Sequence, residues 1–474
     1  MKRNIAFLVA CIFYTIVTIL SLKLPLFWDN ILFSSKTAVY FFNGDFSNLI
    51  LPPNIDSGHP PFWGKMIATV WKVFGKSLTV SHLIMLPILI ILAWNFIEFA
   101  KRVLSPNLVL PATLLLLIEP TLLAHSTMVS LEILLVCGFF GALNTIIKNK
   151  TWQLSLWCLI ISIVSIRGIF LTISLFTIYC VYLNSNIKKV KVLNVIKPFL
   201  LAAFAIIIWY LYHWLATGYF FQSSNSGWAV NNTATNTSIL IKNLIYTVWR
   251  FFDFGRWIIL VSLIPLIIYL KRSKKDWFNQ HVKLVLLCFV IVSSILILAV
   301  SITKSPPLHR YYIVSYLFAS ILFLQLLSKI EIAALYKKLS FAIVSLSLIT
   351  GHLWVYPDYI AQGWDGSLAH LPFFKMKDKM LNYIESENIS RKDVLTDFPL
   401  INANYYSDLG FTRNDFIPKH KAKMNEKDYI LQSNICNGFS DGELIDLKTN
   451  WILQKEFKKR GVYLRLYKNS IITN

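Results

Sequence analysis

Residues 1–29 read MKRNIAFLVACIFYTIVTILSLKLPLFWD: two cations, an apolar run, and a carboxylate where the run ends. A helix needs roughly 20 apolar residues to cross ~30 Å of hydrocarbon, and the run over 5–24 has that length. It is longer than a typical secretory signal core, and no small-x-small cleavage pattern follows it. It therefore reads as a retained signal-anchor helix. Working outward, similar runs recur near 78–97, 106–124, 130–147, 152–166, 168–184, 198–216, 256–270, 284–302, 311–328 and 339–355. The fifth and sixth are separated only by Arg167-Gly168. The expectation is an α-helical polytopic membrane protein with about eleven transmembrane helices.

Composition agrees. Of 474 residues, 56% are hydrophobic and 15% charged, against roughly 25% charged in a soluble protein. Mean hydropathy is +0.57. The net charge of +22 does not point to nucleic acid, because Lys and Arg collect in alternate connections between apolar runs. These are Lys101-Arg102; Lys148 and Lys150; Lys188, Lys189 and Lys191; Lys271, Arg272, Lys274 and Lys275; and Lys329, Lys337 and Lys338. Cytoplasmic loops carry this excess. Lys2 and Arg3 fall on the same side, so the N-terminus is expected inside and the C-terminus outside. Five of the six cysteines lie in apolar runs and only Cys436 lies in the tail, which excludes a disulfide framework.

The chain divides near residue 355. Residues 1–355 hold nine acidic side chains, and 356–474 hold fifteen and are nearly charge-balanced. The tail is expected to be a small soluble α/β domain: a helix over 373–388, strands over 394–398 and 429–432, and a hairpin of 451–457 with 462–467 about Lys459-Arg460-Gly461. It shows no paired acid/base constellation and is expected to cap a cavity or select an acceptor. Two segments outside the spans are long. In 25–77, Phe62, Met66, Val70 and Phe74 recur four apart and predict a helix lying in the membrane interface. Residues 217–255 are rich in Asn, Thr and Ser, with acceptor-like Asn231-Asn232-Thr233 and Asn236-Thr237-Ser238.

Carboxylates near a bilayer are costly unless hydrated or used. Glu98, Asp276 and Glu331 sit beside cations on the cytoplasmic side and read as solvated helix ends. Asp45 and Asp56 sit in turns. Asp29 follows the first span directly, and Glu132 lies at the start of the fourth, so the two suggest an acid/base pocket at one membrane surface. Glu119 and His125 share one short turn and are candidates to line it. On the same side lie His59, Lys65, Arg250, Arg256 and the loop Lys304-Ser305-Pro306-Pro307-Leu308-His309-Arg310-Tyr311. These cations suit a lipid-linked phosphate at headgroup depth.

In order, Asp29, Gly44-Asp45, His59-Pro60-Pro61, Phe74-Gly75, Glu132, Arg167-Gly168 and Arg310-Tyr311 resemble the GT-C glycosyltransferases that use polyprenyl-phosphate sugars. The resemblance is to the protein O-mannosyltransferase and aminoarabinose transferase group, and it covers roughly residues 1–330. There are departures: Asp29-Asn30 stands where the family often has Asp-Glu, His59 stands where the aminoarabinose transferases have Lys, and Glu132 stands for the usual Asp. The resemblance implies a donor sugar on a polyprenyl phosphate and a glycan, lipid or protein acceptor. The leaving phosphate needs cations rather than an acid, with His59, Arg310 and Arg256 as candidates. Asp29 would be the base, and Glu132 would orient the acceptor or a donor hydroxyl. Glu119, His125 and His59 could converge on a divalent ion, but their spacing matches no established ligand pattern and no metal is predicted. Alternatives are a transporter or flippase of lipid-linked sugars and an O-antigen polymerase or ligase. A transporter would place ionisable groups at mid-bilayer and show repeats, whereas here the acids cluster at one surface. A polymerase or ligase usually carries its large loop late in the chain.

Overall fold

The structure, a computed structural model, describes residues 2–44, 46–186, 192–223, 233–273, 277–402, 405–410, 416–436 and 438–470. Asp45, Lys188, Lys189, Lys191, Lys274, Lys275, Asp276, Asn231 and Asn232 lie outside the described residues.

Every apolar run is helical. Six helices are long and apolar enough to cross a membrane: Leu78–Val103, Ile166–Leu183, Val192–Thr217, Gln280–Ser301, His309–Lys329 and Ala334–Gly351. Ile5–Ser21, Leu131–Ile147 and Thr151–Val164 are shorter apolar helices. His309–Lys329 is the central one, with 89% of its apolar window buried, whereas Val192–Thr217 is peripheral at 17%. Each helix offers its apolar residues to neighbours or to lipid because its backbone groups are satisfied internally.

One expected span is bent, and another is met at a sharp angle by a helix that precedes it. The run over 106–124 breaks by 65° between Pro106–Ile118 and Pro120–Ser126. Glu119 is extended there (φ −60°, ψ 120°), as a residue before proline prefers, and Pro120 opens the next helix without needing its missing N–H. The segment 217–255 is not simply a polar loop. It contains the helix Thr237–Phe252, which turns 84° into Trp257–Arg272. Asn236, acceptor-like in the sequence, caps that helix by accepting from the Ile239 amide (2.9 Å).

The expected helix in 25–77 is present as Phe62–Phe74, with a different stripe inward. Trp63, Ile67 and Trp71 are buried, while Phe74 is 71% exposed. The indole N–H groups of Trp63 and Trp71 donate to Ser34 and Ser81 hydroxyls (both 2.8 Å). A second helical segment, unread in the sequence, runs through a π-helical turn Ile31–Lys36 into Thr37–Asn43 and packs on the first.

The tail forms a mixed five-stranded sheet: β1 (Val394–Thr396), β2 (Ile417–Pro418), β3 (Tyr429–Ser433), β4 (Trp451–Lys459) and β5 (Val462–Asn469), in the order β2-β1-β3-β5-β4. The pairs β2-β1 and β1-β3 are parallel, and β3-β5 and β5-β4 are antiparallel. The predicted hairpin closes through Arg460 and Gly461, both with positive φ, as a tight turn requires. Helix Pro372–Ser386 covers the sheet. A helix Asp441–Asn450 was not predicted; Ser440 and Glu443 form its capping box. The core of the tail continues into the membrane part through Phe27, Ala124 and Met128. The Phe27 ring stacks on His370 at 4.4 Å, and Leu26 and Ser407 exchange two hydrogen bonds (2.7 and 2.9 Å).

Candidate active site

The junction of membrane helices and tail gathers five charged groups from five distant segments. Asp29 follows Trp28, whose left-handed backbone (φ 54°) is uncommon for a bulky residue and turns the chain into the π-helical segment. Arg310 is the second residue of the 3-10 turn His309–Tyr312 that precedes helix Ile313–Lys329. Its guanidinium donates from Nη2 to Asp29 and from Nη1 to Asp365, both through very short contacts. Its Nε lies 3.6 Å from Glu132 Oε1. Glu132 opens helix Leu131–Ile147 behind the Ser130 cap and also accepts from Arg167. Arg167 and Arg310 both lie against the Tyr311 ring, at 4.7 and 5.3 Å from its centroid. Its negative face eases their like charge.

Three carboxylates thus surround two guanidiniums in a site largely shut from water. Burial pushes the Asp29 carboxyl above its ordinary value, and the pull of Arg310 does not cancel that rise. Asp365 is also buried, but Arg310 and His125 together hold it below its ordinary value. A carboxylate with a raised pKa is a stronger base.

His59 stands at the break between Thr151–Val164 and Ile166–Asn186. Its Nδ1 accepts from the Ile166 amide (3.1 Å), and burial beside Arg167 and Arg310 pushes it down to about 3. The ring is therefore neutral, which corrects its expected role as a cation; what it can offer a phosphate is an N–H. At the same break Gly168 has no substitute: a Cβ there would stand 1.7 Å from the Ile161 carbonyl oxygen. That close approach fixes where Arg167 projects.

Glu119 and Arg256 pair with each other on the wall of a small pocket that Phe251, Ile259 and Tyr316 also line. Glu119 Oε1 accepts from Arg256 Nε (2.8 Å) and Nη2, and its Oε2 accepts from the Leu122 amide (2.6 Å). Arg256 also donates to Thr121 (2.5 Å) and lies 4.0 Å over the Tyr316 ring. His125 pairs with Ser130 Oγ (2.6 Å) and places Nε2 3.7 Å from Asp365. Glu119, His125 and His59 thus have separate partners and do not converge. Among the described residues, no three His, Cys, Asp or Glu side chains are placed to hold a metal ion.

Asp365 is the member of this cluster that sequence reasoning missed; the segment after the last apolar helix contributes an acid to it. Its signal was faint but real. It lies in Gly363-Trp364-Asp365-Gly366, an acid among aromatic and small residues soon after a span, as Asp29 is.

The fold and site together describe a polytopic membrane protein: apolar helices, a helix turned sharply from its following span, and a small sheet seated over charged helix ends. No family model and no curated protein matches the sequence. Among solved structures, the chain is similar to ArnT from Cupriavidus metallidurans bound to undecaprenyl phosphate, with a TM-score of 0.55 at 10% identity, covering 98% of this chain and 97% of that one. ArnT in the apo state gives 0.52 at the same identity and coverage. At that identity the likeness is one of fold.

Proposed function

We propose that this protein is a glycosyltransferase of the inner or plasma membrane, moving a sugar from a polyprenyl-phosphate donor to an acceptor on the extracytoplasmic side. The observation that carries the reading is the buried Asp29–Arg310–Glu132–Arg167 cluster at the helix ends, on a fold shared with a protein solved with undecaprenyl phosphate. A carrier would place such charge along the middle of its spans.

In this reading the acceptor hydroxyl attacks C1 of the sugar. The bond from C1 to the phosphate oxygen breaks, its electron pair stays on the phosphate, and Asp29 takes the acceptor proton. Arg310 and Arg167 stabilise the charge growing on the leaving oxygen. Direct displacement inverts the anomeric centre. Glu132 holds Arg167 and Arg310 in place and orients a substrate hydroxyl. His59 contributes an N–H to the phosphate, while Glu119, Arg256 and His125 shape the wall behind it. Eleven spans, an inside N-terminus and an outside 356–474 unit complete the proposal. Acceptor class and sugar are read by one experiment: mass spectrometry of envelope glycans and lipids from cells with and without the protein. A species lighter by one sugar in its absence supports the reading. Unchanged masses, with no release of polyprenyl phosphate by purified protein, would overturn it.

A further inference from the structure

Arg310 turns each of its three nitrogens toward a carboxylate. Nη1 is committed to Asp365, Nη2 to Asp29, and Nε looks toward Glu132. A phosphate that approaches the Nη2 corner of this guanidinium competes with Asp29 for it. The two hydrogen-bonded carboxylates are built differently. The Asp365 side chain is 1% exposed and that of Asp29 is 13% exposed. Asp365 sits in a 3-10 turn whose Gly366 amide donates to Gly363 (2.9 Å) and whose Gly366 carbonyl accepts from Thr121 (3.0 Å). A Cβ on Gly363 or on Gly366 would come within 2.7 or 2.8 Å of the His309 ring, so this turn is wedged against a wall. Asp29 instead lies on a turn leading into a π-helical segment, a geometry frequent at functional sites.

We propose that Asp365 is the fixed anchor of Arg310 and Asp29 its exchangeable partner, so that the donor's phosphate displaces Asp29 from Nη2 and thereby releases the base. This rests on the function proposed above and adds an order to it, with donor before acceptor. The charge balance gives the exchange a consequence for the base. The cluster already carries three carboxylates against two guanidiniums, and an arriving phosphate deepens the negative surplus around Asp29. The released carboxylate therefore gains affinity for a proton at the moment the acceptor must lose one. Asp365 is a positioning residue; it acts through Arg310.

The two carboxylates should respond with opposite sign. If each were merely a nearby negative charge, neutralising either would strengthen anion binding. In the exchange, Asp29→Asn removes a competitor and tightens binding, whereas Asp365→Asn frees Arg310 to turn away and weakens it. The test is binding of undecaprenyl phosphate to the full-length protein in detergent, read by tryptophan fluorescence, since Trp28 and Trp364 flank the two acids. Asp29→Asn should bind severalfold more tightly. Asp365→Asn should bind roughly tenfold more weakly, the equivalent of one charge-assisted hydrogen bond, and should raise the donor KM, whereas Asp29→Asn lowers kcat. Asp365→Glu, which keeps the charge but shifts the anchor by a methylene, should also bind more weakly and serves if the Asn variant folds poorly. Shifts of the same sign in Asp29→Asn and Asp365→Asn, or wild-type affinity in Asp365→Glu, would overturn the exchange while leaving the transferase reading intact. Failure of the wild-type protein to bind undecaprenyl phosphate would instead overturn that reading and the exchange together.

Discussion

Glu119 offers the best-defined perturbation, because its two oxygens do separable work. Oε2 caps helix Pro120–Ser126 through the Leu122 amide, and Oε1 holds Arg256, with the two side chains 1% and 4% exposed. Losing an N-cap costs about 1 kcal/mol. Leaving one member of a buried pair uncompensated costs about 3–5 kcal/mol. Glu119→Ala loses both and should destabilise by about 4–6 kcal/mol. Glu119→Gln keeps a capping oxygen and should lose about 3–5 kcal/mol. Thr121 and the Asp253 carbonyl (3.3 Å) soften the loss by retaining two of the guanidinium's bonds. Glu119→Gln combined with Arg256→Met removes both charges and should recover most of the stability, since contacting residues are strongly non-additive.

Thermal unfolding in detergent, followed with a thiol-reactive dye, suits the assay because Cys137, Cys158, Cys288 and Cys436 are buried. At roughly 2 °C per kcal/mol, Glu119→Gln should melt on the order of 5–10 °C below wild type, with the double variant nearer wild type. Donor binding below the transition should be little changed, because Glu119 and Arg256 occupy each other. A Glu119→Gln protein that melts like wild type yet fails to bind donor would refute the argument and return Glu119 to direct substrate contact.

Asp29→Asn should lower transfer by about 10²–10⁴-fold with expression unchanged; the wild-type rate should fall with decreasing pH at a higher pH than the ~3.9 of an ordinary Asp, because burial raises Asp29, and an undiminished rate in the variant would shift the role of base to Glu132. His59 is held down to about 3, against ~6.5 unfolded, so the unfolded chain binds more protons between those values: its contribution to stability is full above pH ~6.5 and is lost as pH falls, by up to about 1.4 kcal/mol per unit. A His59→Gln variant, which retains an acceptor for Ile166, should remove that slope while melting above His59→Ala, and an unchanged acid slope would count against a buried neutral ring. A reporter fused after Asn474 should be active only outside the cytoplasm and one after Lys274 only inside; activity on the same side for both would break the proposed topology.

Much of this was legible because lipid simplifies the code. Helix lengths follow from hydropathy, and all eleven runs are helical, including the weak pair at Arg167-Gly168, where Ser165 turns extended (φ −165°, ψ 154°). The tail's hairpin was legible from alternation and its Arg-Gly turn. Asp29, Glu132 and Arg310 stood out because so few charges lie near apolar runs, and each falls at a helix end where charge is tolerable. What stayed hidden depends on pairing. The sequence offers Glu119 and Arg256 as two free site groups, and only the 65° break at Pro120 shows that they meet. His59 reads as a cation until its burial and its bond to Ile166 are seen. The helices over 31–43 and 237–252 were missed because serines, asparagines and threonines dilute their apolar stripe. In the fold those serines serve buried contacts: Ser34 donates to the Val129 carbonyl and Ser35 to that of Tyr406 (both 2.6 Å).

The same pairing logic explains why the tail is seated where it is. Two buried polar networks lie back to back at the end of helix His309–Lys329. On one side, His309 Nε2 donates to Asp253 (2.7 Å), which also accepts from Tyr356. On the other, Arg310, the next residue, meets Asp365 and Asp29. The segment Gly363–Gly366 runs between them, its glycines admitting the His309 ring and its single acid reaching Arg310. Each network alone would leave buried charge short of a partner, which is costly. Asp365 and Tyr356 both follow the last apolar helix, so the stretch just beyond that helix supplies a partner to each network. A chain that ended at the last span would leave Arg310 without one carboxylate and Asp253 without one donor. The tail's first turn therefore belongs physically to the membrane site, whatever the sheet beyond it selects.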